Sequence, residues 1–310
     1  MIPKPPFACD LSPERELEEF RGLQSRLTEL WNELSADVDQ PYTSVVVPSL
    51  TLDQRELQKL EGASFYEERL LFLLIRLRNP QARVVYVTSR PVHPLILDYY
   101  FELLAGIPAS HARARLTLLC AYDASPRSLT EKILERPRLI QRIRYGIGDA
   151  KRAFLSVYNA TPLERRLSVL LGIPLNAVDP DLQWLGTKSG SRRVFREAGV
   201  ALPEGFEGLR SRTEVVEALE GLRGKRPGIR KAVVKLDEGF SGEGNALYRY
   251  PVEDGRTAIA DALRRLEFSV ASETVDSFLG KIETMGGIVE EFLEGVETRS
   301  PSCQIRIDPH

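Results

Sequence analysis

The chain has 310 residues, 43% of them hydrophobic and 28% charged, with a formal net charge of −2. A balance so near neutral argues against a dedicated nucleic-acid binder, and the length leaves room for two domains, each with a core of its own. The cysteines, Cys9, Cys120 and Cys303, are odd in number and far apart, which argues against a disulfide framework or a metal cluster and suggests a reducing compartment.

The opening Met1-Ile-Pro-Lys-Pro-Pro6 has no apolar signal segment. The longest apolar run, Leu70 to Ile75, is far too short to span a bilayer, so a cytoplasmic protein without membrane contact is expected. Positions 1–41 form a proline-rich arm and a helix from Pro13 to Leu34, with Leu17, Phe20, Leu23, Leu27, Leu30 and Leu34 at helical spacing. Ser12 is its N-cap and Pro13 its first helical residue. Its apolar stripe serves either packing within the chain or a homodimer contact; the spacing fits both.

Positions 42–180 alternate strand-length apolar runs with helical patterns. The strands are Thr43 to Leu50, Arg83 to Ser89, Arg115 to Tyr122 and Phe154 to Tyr158. The helices between and after them are Glu67 to Arg78, His93 to Leu104, Leu129 to Tyr145, and Pro162 to Leu171 behind Thr161. That alternation predicts an α/β, Rossmann-like domain: a parallel sheet covered on both faces by helices. Ligands of such sheets gather beyond the carboxyl ends of the strands, which makes Ser49, Asp53, Thr88, Ser89, Arg90, Asp123 and Asn159 candidates as a set. Arg90 stands out as a substrate residue, because a guanidinium at a strand end can hold a carboxylate in bidentate fashion. The basic stretch Arg136-Pro-Arg-Leu-Ile-Gln-Arg-Ile-Arg144 lies on a helical pattern whose apolar face is accounted for, and reads as a solvated face. His93 and His111 have no metal-ligating neighbour at ligand spacing.

A boundary is expected near Asp179-Pro-Asp181, so that positions 181–310 form a second domain. Thr187-Lys-Ser-Gly-Ser-Arg192 opens a helix running to Ala198, with Gly199 as its cap, and Glu214 to Leu222 forms another. Ala232 to Leu236 is an apolar, strand-like run carrying Lys235 near its end. It runs into a loop with Gly239, Gly242 and Gly244, and Ala246-Leu-Tyr-Arg-Tyr250 then alternates as a second strand. The loop is therefore a hairpin tip, able to take positive φ and to bare backbone N–H groups toward a polyphosphate. Its G-x-x-G-x-G spacing reverses the dinucleotide fingerprint, and no helix follows as a Walker loop requires. Ser241 is no nucleophile elbow, since position 243 is Glu. Thr257 to Phe268 and Val275 to Ile282 read as helices, and Ile288 to Leu293 and Arg299 to Ile307 as strands.

Lys235 before a glycine-rich hairpin, the earlier Thr187 to Arg192 and the later Val289-Glu-Glu-Phe-Leu-Glu294 together resemble an ATP-grasp ligase, most closely the pheganomycin-type peptide ligases and their relatives. The resemblance extends over roughly positions 42–307. It implies an α+β nucleotide-binding domain in which Lys188 and Lys235 neutralise ATP phosphates while Gly239, Ser241, Gly242 and Gly244 close over them. It implies equally that Glu290, Glu291 and Leu293 form the hinge meeting adenine and ribose, the two glutamates not being separable from sequence. The implied activity is carboxylate–amine ligation of small amino acids or peptides through an acyl phosphate, with ATP and Mg2+ as cofactors and ADP as product.

Against the family pattern, no E-x-N pair follows the hinge before Asp308-Pro-His310. Glu297 and Gln304 lie nearby without forming one. The expectation is thus an incomplete ATP-grasp domain whose metal ligands lie beyond position 310. Alternatives are a truncated homologue or non-catalytic nucleotide-binding module, or an enzyme working from the first domain, such as a nucleotide-sugar transferase.

Overall fold

The structure, a computed structural model, describes residues 11–52, 57, 62–239, 244–253, 255–271, 273–295, 299 and 301–305. Of the residues singled out above, Cys9, Asp53, Ser241, Gly242 and Glu297 lie outside them. The chain divides into two compact units, one running to Asp181 and the other spanning Leu182–Gln304.

In the first unit, α1 (Pro13–Ala36) starts at Ser12, whose hydroxyl accepts the amide of Arg15. Four strands, β1 (Thr43–Val47), β2 (Arg83–Thr88), β3 (Leu116–Cys120) and β4 (Ala153–Val157), form an all-parallel sheet in the order β3-β2-β1-β4. A 3-10 helix, Ala63–Arg78, connects β1 to β2, and α2 (Pro94–Glu102) and α3 (Ala109–Ala114) connect β2 to β3. The chain returns through α4 (Leu129–Leu134) and α5 (Pro137–Ile147) to place β4 beside β1, and α6 (Pro162–Leu171) follows.

Successive strand residues feed opposite cores, as the two-residue period of a strand demands. Val45, Val47, Val85, Val87 and Leu119 pack with Phe20 of α1, Leu129 and Ile133 of α4, Ile143 of α5 and Leu167 of α6. Val46, Val84 and Tyr86 pack with Leu71, Leu74 and Leu77 of the 3-10 helix and with Leu97 and Phe101 of α2. Burial of β1, β2 and β4 on both faces explains their nearly unbroken apolar runs. Two boundaries differ from expectation. The helix expected over Leu129 to Tyr145 is two, because Pro137 lacks the N–H to continue the first and instead begins the second. The segment expected as a helix from Glu67 begins at Ala63 and is wound as a 3-10 helix.

In the second unit, α7 (Lys188–Glu197) precedes a five-stranded antiparallel sheet. Its strands are β5 (Gly205–Leu209), β6 (Lys231–Leu236), β7 (Asn245–Arg249), β8 (Glu267–Phe268) and β9 (Gly287–Glu291), in the order β5-β9-β6-β7-β8. Helices α8 (Arg212–Lys225), α9 (Arg256–Ala262) and α10 (Val275–Met285) pack on one face against Ala232, Val234, Leu236, Ala246, Tyr248 and Val289. The alternate residues, Lys231, Val233 and Lys235 of β6 with Asn245 and Leu247 of β7, lie on the other face and are only half-buried. Three readings are corrected here. The helix expected over Thr257 to Phe268 stops at Ala262, turns once through Leu263–Arg265, and gives way to β8, where Ala246 pairs Phe268. The strand expected from Arg299 to Ile307 is absent among its described residues, which form no ladder and are exposed. The sequence reading also missed β5, whose Gly-Phe-Glu-Gly-Leu has no clean alternation and carries a register shift against β9.

Candidate functional site

The open face of the antiparallel sheet carries the site. Residues paired across a ladder share a face, so Val233 opposite Glu290 and Lys235 opposite Ile288 put both charged side chains on the side away from the helices. Glu290, only 8% exposed, accepts from Lys235 Nζ through Oε1 and from Arg192 Nη1 through Oε2 at 3.0 Å. Arg192 reaches the sheet from α7, also donating through Nη1 to the Pro203 carbonyl at 3.0 Å and through Nε to Glu207 Oε2 at 3.2 Å. Buried charges persist when each has partners of opposite sign and good geometry, and this chain of ions meets that requirement.

The start of α7 is built by its own short side chains. Thr187 caps it, its hydroxyl accepting the Gly190 amide at 2.9 Å and donating to the Trp184 carbonyl at 2.7 Å. Gly190 must be glycine, since a Cβ there would stand 1.8 Å from the Trp184 carbonyl oxygen. Asp237, just past β6, supplies the second cap: its carbonyl accepts the Lys188 amide at 3.2 Å and its Oδ1 the Ser189 amide at 2.8 Å. The helix start bearing Lys188 is thereby tied to the strand bearing Lys235.

Lys188 is half-buried, and its ammonium packs toward the hairpin mouth, 3.5 Å from where a Cβ of Gly239 would stand. Burial, and then the charge of Lys235, hold its pKa below the ordinary lysine value, against the opposing pull of Asp237 and Glu290. Lys188, Lys235, Gly239 and Glu290 thus occupy one neighbourhood. The glycines at the hairpin mouth are explained by close approach: a Cβ on Gly239 would come 2.8 Å from the Gly244 Cα, and one on Gly244 would come 2.6 Å from the Gly239 Cα. At Gly239 this replaces the positive φ anticipated from sequence.

The structure separates the two glutamates. Glu291 faces away from Lys235, accepting the Glu204 amide at 2.9 Å and pairing with Arg226 at 3.3 Å. Leu293 lies past the ladder and is 64% exposed. A concavity of about 650 Å3 opens on another flank of the α7 start, lined by Trp184, Thr187, Ser189, Arg193, Glu207 and Asp237 among others, and includes neither Lys188 nor Lys235. Sequence reasoning assigned no role to Arg192, Asp237 or Glu207. The available signals were that Arg192 lies four residues after Lys188, one helical turn, and that Asp237 follows Lys235 by two.

In the first unit, the candidates at the carboxyl ends of the strands are engaged locally. Asn159 exchanges two hydrogen bonds with the Thr51 backbone, at 3.0 and 2.8 Å, and Ser49 accepts the Thr130 amide at 3.0 Å. Thr88 donates to the Arg90 carbonyl at 2.6 Å, and Ser89 accepts from Lys132 Nζ at 2.9 Å. Asp123 pairs with Arg136 at 2.8 Å. Arg90 is exposed, its guanidinium 5.0 Å from the Phe65 ring centroid, and belongs to the first unit, whereas Lys188 and Lys235 belong to the second.

Residues 181–250, which hold both lysines and the hairpin, match the family described as IQCH-like, ATP-grasp. Over that stretch the chain is similar to ATP-grasp proteins. The chain is 32% identical over 276 residues to L-propargylglycine–L-glutamate ligase of Streptantibioticus cattleyicolor, a match spanning 85% of this chain and 55% of that protein. It is 28% identical over 248 residues to IQ motif-containing protein H of Danio rerio, spanning 75% of this chain and 23% of that protein. Among solved structures, N5-carboxyaminoimidazole ribonucleotide synthetase from Thermus thermophilus is similar at a TM-score of 0.37 and 16% identity, over 81% of this chain and 47% of that one. The chain therefore spans about half, or less, of the length of the curated relatives it matches. Among the described residues no helix is long and apolar enough to cross a membrane.

Proposed function

We propose that this chain holds the nucleotide in an ATP-dependent carboxylate–amine ligase acting on small amino acids or peptides. The observation that carries the reading is the meeting of Lys188, Lys235 and the Gly239 and Gly244 crossing beside Glu290 on one open sheet face. The donor set fits ATP: two ammonium groups for phosphates, and half-buried Val233 and Leu247 beside buried Ile288 for the flat apolar face of a base. In this reading Lys188 and Lys235 neutralise phosphate, and the hairpin from Gly239 through Ser241 and Gly242 to Gly244 covers it. Glu290 and the peptide groups of Glu291 to Leu293 meet adenine and ribose, with Glu290 the favoured side chain because it faces the lysines.

The reaction proposed has two steps. A substrate carboxylate oxygen attacks the γ-phosphorus and ADP leaves as the bridging P–O bond breaks; an amine then attacks the acyl carbon and expels phosphate. The chain's own contribution is charge neutralisation and exclusion of water from the activated acyl group, which water would hydrolyse. Mg2+ would add further charge neutralisation. Among the described residues no group of three His, Cys, Asp or Glu side chains could hold a metal, so no residue is assigned to it. The similarity to a ligase joining two amino acids supports the substrate class.

The test is nucleotide binding by fluorescent ATP, followed by ADP release from the full-length protein against a panel of amino acids. Lys188→Ala with Lys235→Ala should weaken ATP binding by about a hundredfold, at roughly tenfold for each lost charge-assisted contact. Unchanged binding in that variant overturns the reading.

A further inference from the structure

The helix α5 has two unlike faces. Leu139, Ile140, Ile143 and Ile147 are buried against the sheet, while Arg138, Gln141, Arg142 and Tyr145, spaced i, i+3, i+4 and i+7, line a concavity of about 650 Å3. Arg83 at the start of β2, with Thr117 and Leu119 of β3, lines the rest of it. Gly146 shapes this cleft: a Cβ there would stand 2.9 Å from Val85 Cγ2, so the helix lies closer to the sheet than any side chain would permit. A second concavity, of about 430 Å3, shares Arg83, Tyr145 and Gly146 and extends along the amino ends of β1 and β2 to Arg152.

The charge of the larger cleft is not balanced from within. Its lining residues include three arginines and no carboxylate. Some other arginines of the unit do have carboxylate partners: Arg113 with Asp98, Arg127 with Glu135, Arg136 with Asp123, Arg152 with Glu33 and Arg165 with Asp181. Arg83, Arg138 and Arg142 form no ion pair among the described residues. Three guanidinium groups around one concavity repel each other, and an anion entering the cleft would relieve that repulsion. Each guanidinium is also a planar fork suited to two oxygens of a phosphate or carboxylate. Tyr145, 92% exposed, adds an aromatic face at the rim.

We infer that the cleft between α5 and strands β2 and β3 binds a small polyanion carrying two or more phosphate or carboxylate groups. The site runs along the sheet from Arg83 at the start of β2 to Leu119 near the end of β3, and its lining includes none of Ser89, Arg90 or Asn159. It involves none of the residues assigned to ATP and does not depend on that assignment.

The test is calorimetric titration of the full chain with pyrophosphate and, separately, citrate, with hydrogen exchange followed over residues 137–147. Saturable binding of either probe with slowed exchange across that helix supports the inference, and the probe preferred tells phosphate from carboxylate ligands. Arg138→Ala with Arg142→Ala should weaken that binding about tenfold or more, and Arg138→Lys with Arg142→Lys should weaken it less. Lys188→Ala with Lys235→Ala should leave the helix protection unchanged. Circular dichroism and thermal midpoint confirm that the exposed arginine variants fold. Wild-type affinity in the folded double alanine variant, no saturable binding by the wild type, or no protection of residues 137–147 overturns the inference.

Discussion

Glu290 and Lys235 form an ion pair across neighbouring strands β9 and β6, and the second oxygen of Glu290 holds Arg192 at 3.0 Å. The three groups depend on each other unequally. Arg192, 5% exposed, keeps Glu207 and the Pro203 carbonyl if Glu290 is lost but is left with a buried charge only partly matched, whereas Lys235 is more exposed.

Glu290→Ala should therefore destabilise the second unit by about 2–3 kcal/mol, the cost of breaking a buried pair from one side less what the remaining partners return. Lys235→Ala should cost about 1 kcal/mol, because Glu290 still has Arg192. Urea unfolding of both variants checks the order; a larger loss for Lys235→Ala would contradict it.

Lys188 predicts a pH dependence for nucleotide binding. Its pKa lies below the ordinary lysine value of about 10.4, and a bound anion would raise it, so binding takes up a proton once the pH exceeds the value in the free protein. Affinity should fall as pH climbs, beginning below the ordinary lysine range. Lys188→Arg, which stays charged, should remove that decline. ATP titrations from neutral to alkaline pH measure it.

Glu207 predicts an acid-side dependence of stability. Burial pushes its carboxyl up, but Arg196 and Arg192 together outweigh that and hold it below the usual value. A depressed folded-state pKa gives stability that is present above the unfolded value and is lost as pH falls through the folded one. The stability difference between wild type and Glu207→Gln should thus be full at neutral pH and shrink as pH drops below about 4.3. Denaturation midpoints taken at several pH values test the sign.

Gly244→Ala should force β6 and β7 apart where they leave the hairpin, since its Cβ would come 2.6 Å from the Gly239 Cα and 3.4 Å from Leu236 Cβ. A cost of about 1–3 kcal/mol is expected from such overpacking, with faster amide exchange at the Leu236 N–H, which donates to the Gly244 carbonyl at 2.8 Å. Gly208→Ala probes a different cause, strain from its φ of 75° in open space.

Local signals were enough for much of this fold. Thr161 and Pro162 spell a helix start, and the structure shows a full capping box there, completed by Glu164, with Gly172 closing the helix at φ 70°. The apolar strands β1, β2 and β4 were equally plain, because both their faces are buried. What failed was decided by neighbours. Phe268 continues a helical spacing, yet it pairs with Ala246 as a strand because β7 offers an edge there. Glu290 and Glu291 are the same residue type in adjacent positions, and only the pairing of β9 with β6 decides which faces the lysines. Arg192 was one arginine among many until the distance to Glu290 was known.

Asp237 binds the amides of both Lys188 and Ser189, so the two ammonium-bearing segments are joined by a bracket that bypasses the hairpin tip altogether. The spacing of the positive charges is then independent of how many residues the tip contains. Lengthening the loop by a few residues would therefore leave the charge pattern of Lys188 and Lys235 in place.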